Sequence, residues 1–275
     1  MLGKLYLVST PIGNLGDITY RSVKVLSDVD FIAAEDTRVS VKLLNHLEIR
    51  KPMISYYEHN KKFSGEKIIA RLQSGESCAL ITDAGTPAIS DPGEDIVKLC
   101  AQAGIDVVPV PGACAAISAL SASGLPTQRF CFEGFLSRSR KSRYEHLQDI
   151  AHESRTMIFY EAPHKLMKTL EDMLNVLGDR EISLCREITK LHEQVLRTTI
   201  KGAVDYFTQT PPKGEFVLVI AGEKKSDEKL GRDAAVEIVM AYRSKGYSLK
   251  QAAKMAEQET GCTKNELYAM VIDGD

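Results

Sequence analysis

Short, continuous apolar runs alternate through the first half of the chain with segments whose apolar residues recur every three to four positions. The runs are LYLVS at 5–9, FIAA at 31–34, MIS at 53–55, CALIT at 78–82 and VVPV at 107–110. A run of three to five residues without polar alternation is what a strand covered on both faces requires, so each reads as a buried parallel strand. The segments 19–27, 39–47, 64–73 and 94–103 carry helical spacing, and 113–123 is small and apolar all round, as a buried helix packed close to a neighbour would be. Strands alternating with helices at this interval predict a parallel, doubly wound sheet.

The pattern changes after LPTQR at 125–129, which reads as the crossing into a second domain. Strands are expected at 130–135, 156–160 and 216–221, and 181–187 with 193–199 alternate as an antiparallel pair would. The sequence Ser142-Arg143-Tyr144-Glu145 fits a capping box and predicts a helix from there to about residue 151. Pro163 sits where the first turn of another helix would take it. This half is read as mixed-sheet α+β. The segment 223–233 is charged and apolar-poor, a linker. Three helices follow in 234–275, with capping-box patterns at Ser248/Gln251 and Thr263/Glu266 and a turn at Gly261, in a helix-turn-helix-like tail. The expected domains are therefore 1–124, 125–222 and 234–275.

The residues that end the first-half strands carry the candidate chemistry. Strand one runs into Pro11-Ile12-Gly13-Asn14-Leu15-Gly16-Asp17, strand two into Glu35-Asp36-Thr37-Arg38, strand four into Thr82-Asp83-Ala84-Gly85-Thr86-Pro87, and strand five into Pro111-Gly112-Ala113-Cys114-Ala115. Gly/Pro-rich loops at the carboxyl ends of parallel strands are where open α/β sheets bind ligands. Neither GxGxxG nor GxxxxGK[ST] occurs, which weakens dinucleotide and nucleoside triphosphate readings. Asp91-Pro92-Gly93 is read as the turn that starts the following helix.

Bulk composition narrows the classes. The 275 residues are 44% hydrophobic and 26% charged, with formal net charge −2, so no global positive field draws in nucleic acid or an anionic membrane and any such contact must be local. Six scattered cysteines lack metal-ligand spacing and read as buried free thiols of a reducing compartment; no metal site is expected. No apolar stretch is long enough for a membrane span or a signal segment, so a cytoplasmic location is expected.

The ordered set LVSTPIGNLGD, AAEDTR, ITDAGTPAISDPG, PVPGACAAISAL, FYEAPHK and GEFVLVIAG resembles the tetrapyrrole-methylase superfamily and, more narrowly, the ribosomal RNA small-subunit methyltransferase I family. The resemblance covers about residues 1–222, and the helical tail is similar to that family's C-terminal extension. The chain departs from the porphyrin branch, which usually begins with a GxGPGD loop, in having Thr10-Pro11-Ile12-Gly13 there. The resemblance implies a two-domain α/β fold with a cleft between the domains that binds S-adenosyl-methionine, usually in a homodimer. It implies 2′-O-methylation of a cytidine ribose in the decoding centre of 16S ribosomal RNA. Carried over by motif, the cofactor contacts fall at Pro11, Ile12, Asp83, Thr86, Cys114, Ala115, Glu161 and Ile188.

A ribose hydroxyl is a poor acid, so a base is sought on loops at the same sheet edge. Asp36, Glu58 and His59 are the candidates, with Glu35, Arg38 and Asn60 beside them; helix-end charge and solvated loop side chains are the competing readings. For RNA phosphates the best linear patch is Arg138, Arg140, Lys141 and Arg143, with a solvated face as the alternative. Tyr56, Tyr57 and Phe63 are considered for stacking on an extruded base, and Lys250, Lys254 and Lys264 for further contact from the tail. The partner expected is 16S ribosomal RNA or the small ribosomal subunit. Two other readings stay open: a tetrapyrrole methylase of the same superfamily, and a non-enzymatic nucleic-acid-binding regulator.

Overall fold

A computed structural model describes residues 1–224 and 230–272; of the expected linker, 225–229 lie outside the described residues. The chain forms two compact units, Met1–Gly222 and Glu223–Asp275. The first contains two five-stranded sheets, one from strands within residues 5–110 and the other from strands within 130–220.

The first sheet is parallel throughout, in the order β3-β2-β4-β1-β5. Its strands are β1 (Leu5–Val8), β2 (Phe31–Ala34), β3 (Met53–Ser55), β4 (Cys78–Ile81) and β5 (Val107–Val110). The intervening helices are α1 (Tyr20–Asp28), α2 (Thr37–His46), α3 (Lys61–Gln73) and α4 (Glu94–Gln102). Because successive side chains point to opposite faces, the apolar runs serve two cores. Phe31, Ala33 and Leu80 pack against Ile68, Leu72, Ile96 and Cys100 on one face. Ile32, Ala34, Ala79 and Ile81 pack against Leu26 and Leu44 on the other. The chain therefore leaves β1 towards one face and β4 towards the other, although these strands are neighbours. Their carboxyl ends form the switch point at which a doubly wound sheet opens a crevice.

The second sheet is mixed, in the order β6-β7-β10-β8-β9, with β6 and β7 parallel and the other pairs antiparallel. Its elements are α5 (Ala115–Ser123), β6 (Phe130–Phe135), α6 (Arg140–Asp149), β7 (Thr156–Glu161), α7 (Pro163–Leu177), β8 (Glu181–Arg186), β9 (Gln194–Thr199), α8 (Ile200–Gln209) and β10 (Phe216–Ile220). One face packs on α5 through Ile158, Val217 and Val219 against Ala116, Ala119 and Leu120. The other buries Met157, Phe159 and Leu218 under Leu147, Leu166, Leu170 and Ala203. The expectation of a parallel sheet followed by a mixed one is met.

Two expectations are corrected. Helix α6 starts at Arg140 after Ser139, with Arg143 N donating to Ser139 O at 3.0 Å, so the capping box expected at Ser142/Glu145 does not form. The earlier start brings Arg143 onto the buried face. Tyr56 is 1% exposed and fills the core beneath the first sheet, so it is unavailable to stack on a base.

The second unit consists of α9 (Arg232–Ser244), α10 (Leu249–Thr260) and α11 (Lys264–Ile272) around a core of Ala235, Val239, Ala252, Ala253, Ala256, Cys262, Leu267 and Val271. Ser248 and Gln251 form a reciprocal capping box, and Thr263 with Glu266 forms the second. Gly261, at φ +66°, makes the turn. No helix among the described residues is long and apolar enough to cross a membrane.

Candidate active site

The loops after β1, β4 and β5 are tied to one another by short polar contacts. Thr10 and Gly85 form an isolated bridge, N–H to carbonyl in both directions at 2.9 and 3.1 Å. Thr10 Oγ1 donates to Thr82 O at 3.2 Å. The Ser9 and Thr86 hydroxyls meet at 3.1 Å, and Thr86 Oγ1 donates to Ala113 O at 3.1 Å. Gly112 lies so close to β1 that a Cβ there would stand 2.8 Å from Ser9 Cβ. Small and hydroxylated residues are needed at these positions because backbones approach backbones.

A cavity of about 500 Å³ opens beside this junction, within the size range of small-molecule sites. One wall is the first sheet's edge: Ile12, Glu35, residues 82–86, Ile89, Ser90 and Asp91. Cys114 and Ala115 form its floor at the start of α5. The opposite wall comes from the second sheet and includes Phe135, Tyr160, Glu161, Glu187, Ile188, Lys190 and Glu215. Tyr160 ties this wall to the floor, its hydroxyl accepting from Ala116 N at 3.2 Å. Glu161 is buried and held by Lys165 Nζ at 2.7 Å and Thr169 Oγ1 at 2.6 Å. Glu187 and Thr189 adopt φ of +51° and +67°, and Lys190 Nζ bridges Glu187 and Glu215 at 3.0 and 2.8 Å.

The first wall is rich in carboxylates. Glu35 Oε2 accepts from Thr82 Oγ1 at 2.6 Å, and Asp83 Oδ1 accepts from Asp36 N at 3.1 Å. Burial raises the Asp83 carboxyl above the ordinary carboxylate range, with the Glu35 and Asp36 charges adding to it. Burial, then the charge of Glu35, pushes Asp91 up to about 6. Burial also pushes the Tyr160 phenol up to about 12. Such a wall favours a cationic ligand.

Of the eight expected cofactor contacts, the structure brings Ile12, Asp83, Thr86, Cys114, Ala115, Glu161 and Ile188 to the cavity; Pro11 does not line it. None of the three candidate bases lines it. Asp36 caps α2 and binds its own Arg38, whose hydrogen bonds hold the Asp36 carboxyl down at about 2. Glu58 pairs with Lys61 at 2.9 Å, and His59 follows the edge strand β3. Glu35, considered beside Asp36, does line the wall, whereas Asp91 was not expected there. Asp91, read as a helix-start turn, stands on the cavity because the chain doubles back through Ala88 (φ +66°) and Ser90 (φ +63°). Neither residue type signals a left-handed backbone, so the sequence carried no cue.

A second depression, about 720 Å³, lies on the other side of the α7 start and is lined by Arg138, Arg140, Arg143, His164, Lys165, Lys168, Glu171 and Asp172. Pro163 faces the cavity and His164 this groove. The expected basic patch is corrected in two places. Arg143 is buried and spent on Asp172, its Nε 2.8 Å from Oδ2. Lys141 does not line the groove and lies 3.9 Å from Glu145. Arg138 and Arg140 stay exposed, joined by His164 and Lys168, which the linear pattern did not connect because they follow a strand and a helix later. No group of three or more metal-ligating side chains occurs among the described residues.

Residues 4–204 match the family model for tetrapyrrole (corrin/porphyrin) methylases. A protein named ribosomal RNA small subunit methyltransferase I from Synechocystis sp. is 47% identical over 99% of this chain and 98% of its own length. The proteins of that name from Bacillus subtilis and Escherichia coli O157:H7 are 47% and 44% identical, over 93% and 95% of their lengths. Among solved structures, the cobalamin-biosynthetic enzyme cobalt precorrin-4 methyltransferase superposes with a TM-score of 0.59 at 21% identity, covering 79% of this chain and 94% of that one. A uroporphyrin-III-C-methyltransferase from Thermus thermophilus gives 0.54 at 19%, covering 80% and 94%. At these identities the two structures speak for the fold alone.

Proposed function

The chain belongs to the ribosomal RNA small subunit methyltransferase I family, within the tetrapyrrole methylases, and from that premise we propose that it 2′-O-methylates a cytidine ribose in the decoding centre of bacterial 16S ribosomal RNA, with S-adenosyl-methionine as donor. We place it in the cytoplasm, as a homodimer, with 16S ribosomal RNA or the small subunit as its partner. The observation that carries this reading is the pairing of a carboxylate-lined cavity with a cationic groove across one helix start.

The cavity fits the donor in chemistry as well as size. Bound S-adenosyl-methionine supplies an electrophilic methyl group on a positively charged sulfur. Glu35 and Asp83 present negative charge to that cation, and Ile12, Ala115 and Ile188 offer apolar surface for its nucleoside. Gly85 and the small α5 start allow the backbone to approach the ligand closely. The walls exclude water and fix the donor while the acceptor ribose approaches, and such orientation supplies a large part of the rate in an in-line displacement. Outside the cavity, Arg138, Arg140 and Lys168 offer charge to the phosphates flanking the target, and His164 a hydrogen-bonding edge.

Ribose-methylation mapping of 16S ribosomal RNA from a strain lacking the protein tests the proposal. Loss of one decoding-centre 2′-O-methyl cytidine, restored by the wild-type chain, is expected. An unchanged pattern removes this reading; methyl transfer to a tetrapyrrole would favour the small-molecule branch of the superfamily, and failure to bind the donor in calorimetry would favour a non-enzymatic regulator.

A further inference from the structure

We propose that Asp91 is the catalytic base of this site: from the wall of the donor cavity it takes the proton of the attacking ribose hydroxyl. The proposal rests on the methyltransferase reading above and names a residue for its chemical step.

Three observations place Asp91 in that role. It lines the cavity wall, whereas Asp36, Glu58 and His59 do not. It is held there by a loop with little freedom: Ala88 and Ser90 are both left-handed, and Gly93 follows at φ +153°. A Cβ on Gly93 would stand 2.8 Å from Ala88 Cβ and 3.0 Å from Ala88 N. Third, a second carboxylate shares the wall: Glu35 also lines the cavity, its Oε2 accepting from Thr82 Oγ1 at 2.6 Å. Two carboxylates on one wall favour proton uptake by one of them.

The groups facing Asp91 set its proton affinity in the range a base needs. Burial disfavours its charged form most, the charges of Glu35 beyond β2 and Asp83 beyond β4 add to that, and Thr82 opposes it by hydrogen bonding. From the second sheet, Tyr160 feels the Asp91 charge, and across the cavity Lys190 is already bridged to Glu187 and Glu215, while Glu161 is engaged with Lys165. Its proton affinity is raised to about 6, close to the operating pH at which general bases work best.

The step balances. The ribose 2′-oxygen forms a bond to the methyl carbon as the carbon–sulfur bond breaks, and that bond's electron pair stays on sulfur, which becomes a neutral thioether. The hydroxyl proton passes to the Asp91 carboxylate and from there to solvent when the products leave.

Two measurements test this. In calorimetry at about pH 6, repeated in buffers of different ionisation enthalpy, S-adenosyl-methionine binding to the wild-type protein should release protons, because a base must be ionised beside the bound cation. The thioether product, lacking the positive charge, should release fewer, and Asp91→Asn should abolish the difference while changing donor affinity less than about threefold. In turnover assays on small subunits, Asp91→Asn should lower kcat at least about 100-fold and remove the acid limb of the wild-type pH profile. Proton uptake by the wild-type chain overturns the proposal whether or not the variant folds. So does a variant that keeps its rate and pH profile. A wild-type chain that binds the donor but methylates no ribose removes the function proposed above, a different failure.

Discussion

At the scale of single residues, two buried charges have opposite consequences for stability. Asp91 ionises near the ordinary 3.8 in the unfolded chain and near about 6 in the folded one. Between those values the folded state holds a proton that the unfolded state has lost, so stability falls as pH rises through the window and levels off above it. Asp91→Asn has no proton to lose there. Its melting temperature should match the wild type near about pH 4 and exceed it above about pH 7 in thermal scans; a gap that does not widen with pH would count against a buried carboxyl. Arg143 behaves in the other direction. It and Asp172 are each 6% exposed and mutually hydrogen-bonded, so Arg143→Ala leaves the buried carboxylate to the exposed Arg140, 3.6 Å away, and should cost about 3 kcal/mol in denaturant unfolding. Arg138→Ala and Arg140→Ala should leave stability within about 0.5 kcal/mol and weaken ribosomal RNA binding instead. The sequence could not separate these arginines, because Arg143 owes its burial to a partner 29 positions away on α7.

At the scale of elements, what was legible and what was not divides cleanly along physical lines. The strands of the first sheet were legible because strands covered on both faces must be apolar throughout, and their loops because parallel strands bring their carboxyl ends to one edge. Seven of eight motif-derived residues line the cavity, and those of the first and fourth strand loops are held by the Thr10–Gly85 bridge, where backbones in close approach tolerate few side chains and so leave glycine, proline and threonine in recognisable order. Illegible were features made by tertiary pairing or by ordinary residues in left-handed backbone: the α6 start, the burial of Tyr56, and the turn that returns Asp91 to the wall. The Thr10–Gly85 bridge is the clearest case of a loop that holds a site. Gly85 is at φ +86°, and a Cβ would meet Ile12 Cγ2 at 3.3 Å. Gly85→Ala should therefore cost about 1–2 kcal/mol from the backbone alone. Because Ile12 and Asp83 shift with the loop, donor affinity in calorimetry should fall more than that of Ser27→Ala, an exposed control on α1. Equal affinities would mean the bridge is not part of the binding wall.

At the scale of the molecule, a formal charge of −2 leaves nucleic-acid binding to local surfaces, and there are two to weigh. One is the groove beside the cavity. The other is the three-helix unit, whose Lys250 and Lys254 are exposed and whose core is built entirely from its own residues. Each phosphate neutralised on single-stranded RNA contributes about −0.7 to the slope of log K against log salt concentration. Three phosphates in the groove would thus give a slope of about −2, and each phosphate held by the tail would steepen it by about 0.7. Residues 1–222 carry both sheets, their cores and the entire cavity, so the fragment should fold and bind S-adenosyl-methionine as the full chain does. Its salt slope for ribosomal RNA should be shallower by at least one such step, with Lys250→Ala and Lys254→Ala in the full chain producing part of the same change. Identical slopes for fragment and full chain would assign all phosphate contact to the groove, and Arg138→Ala with Arg140→Ala should then flatten the dependence by themselves.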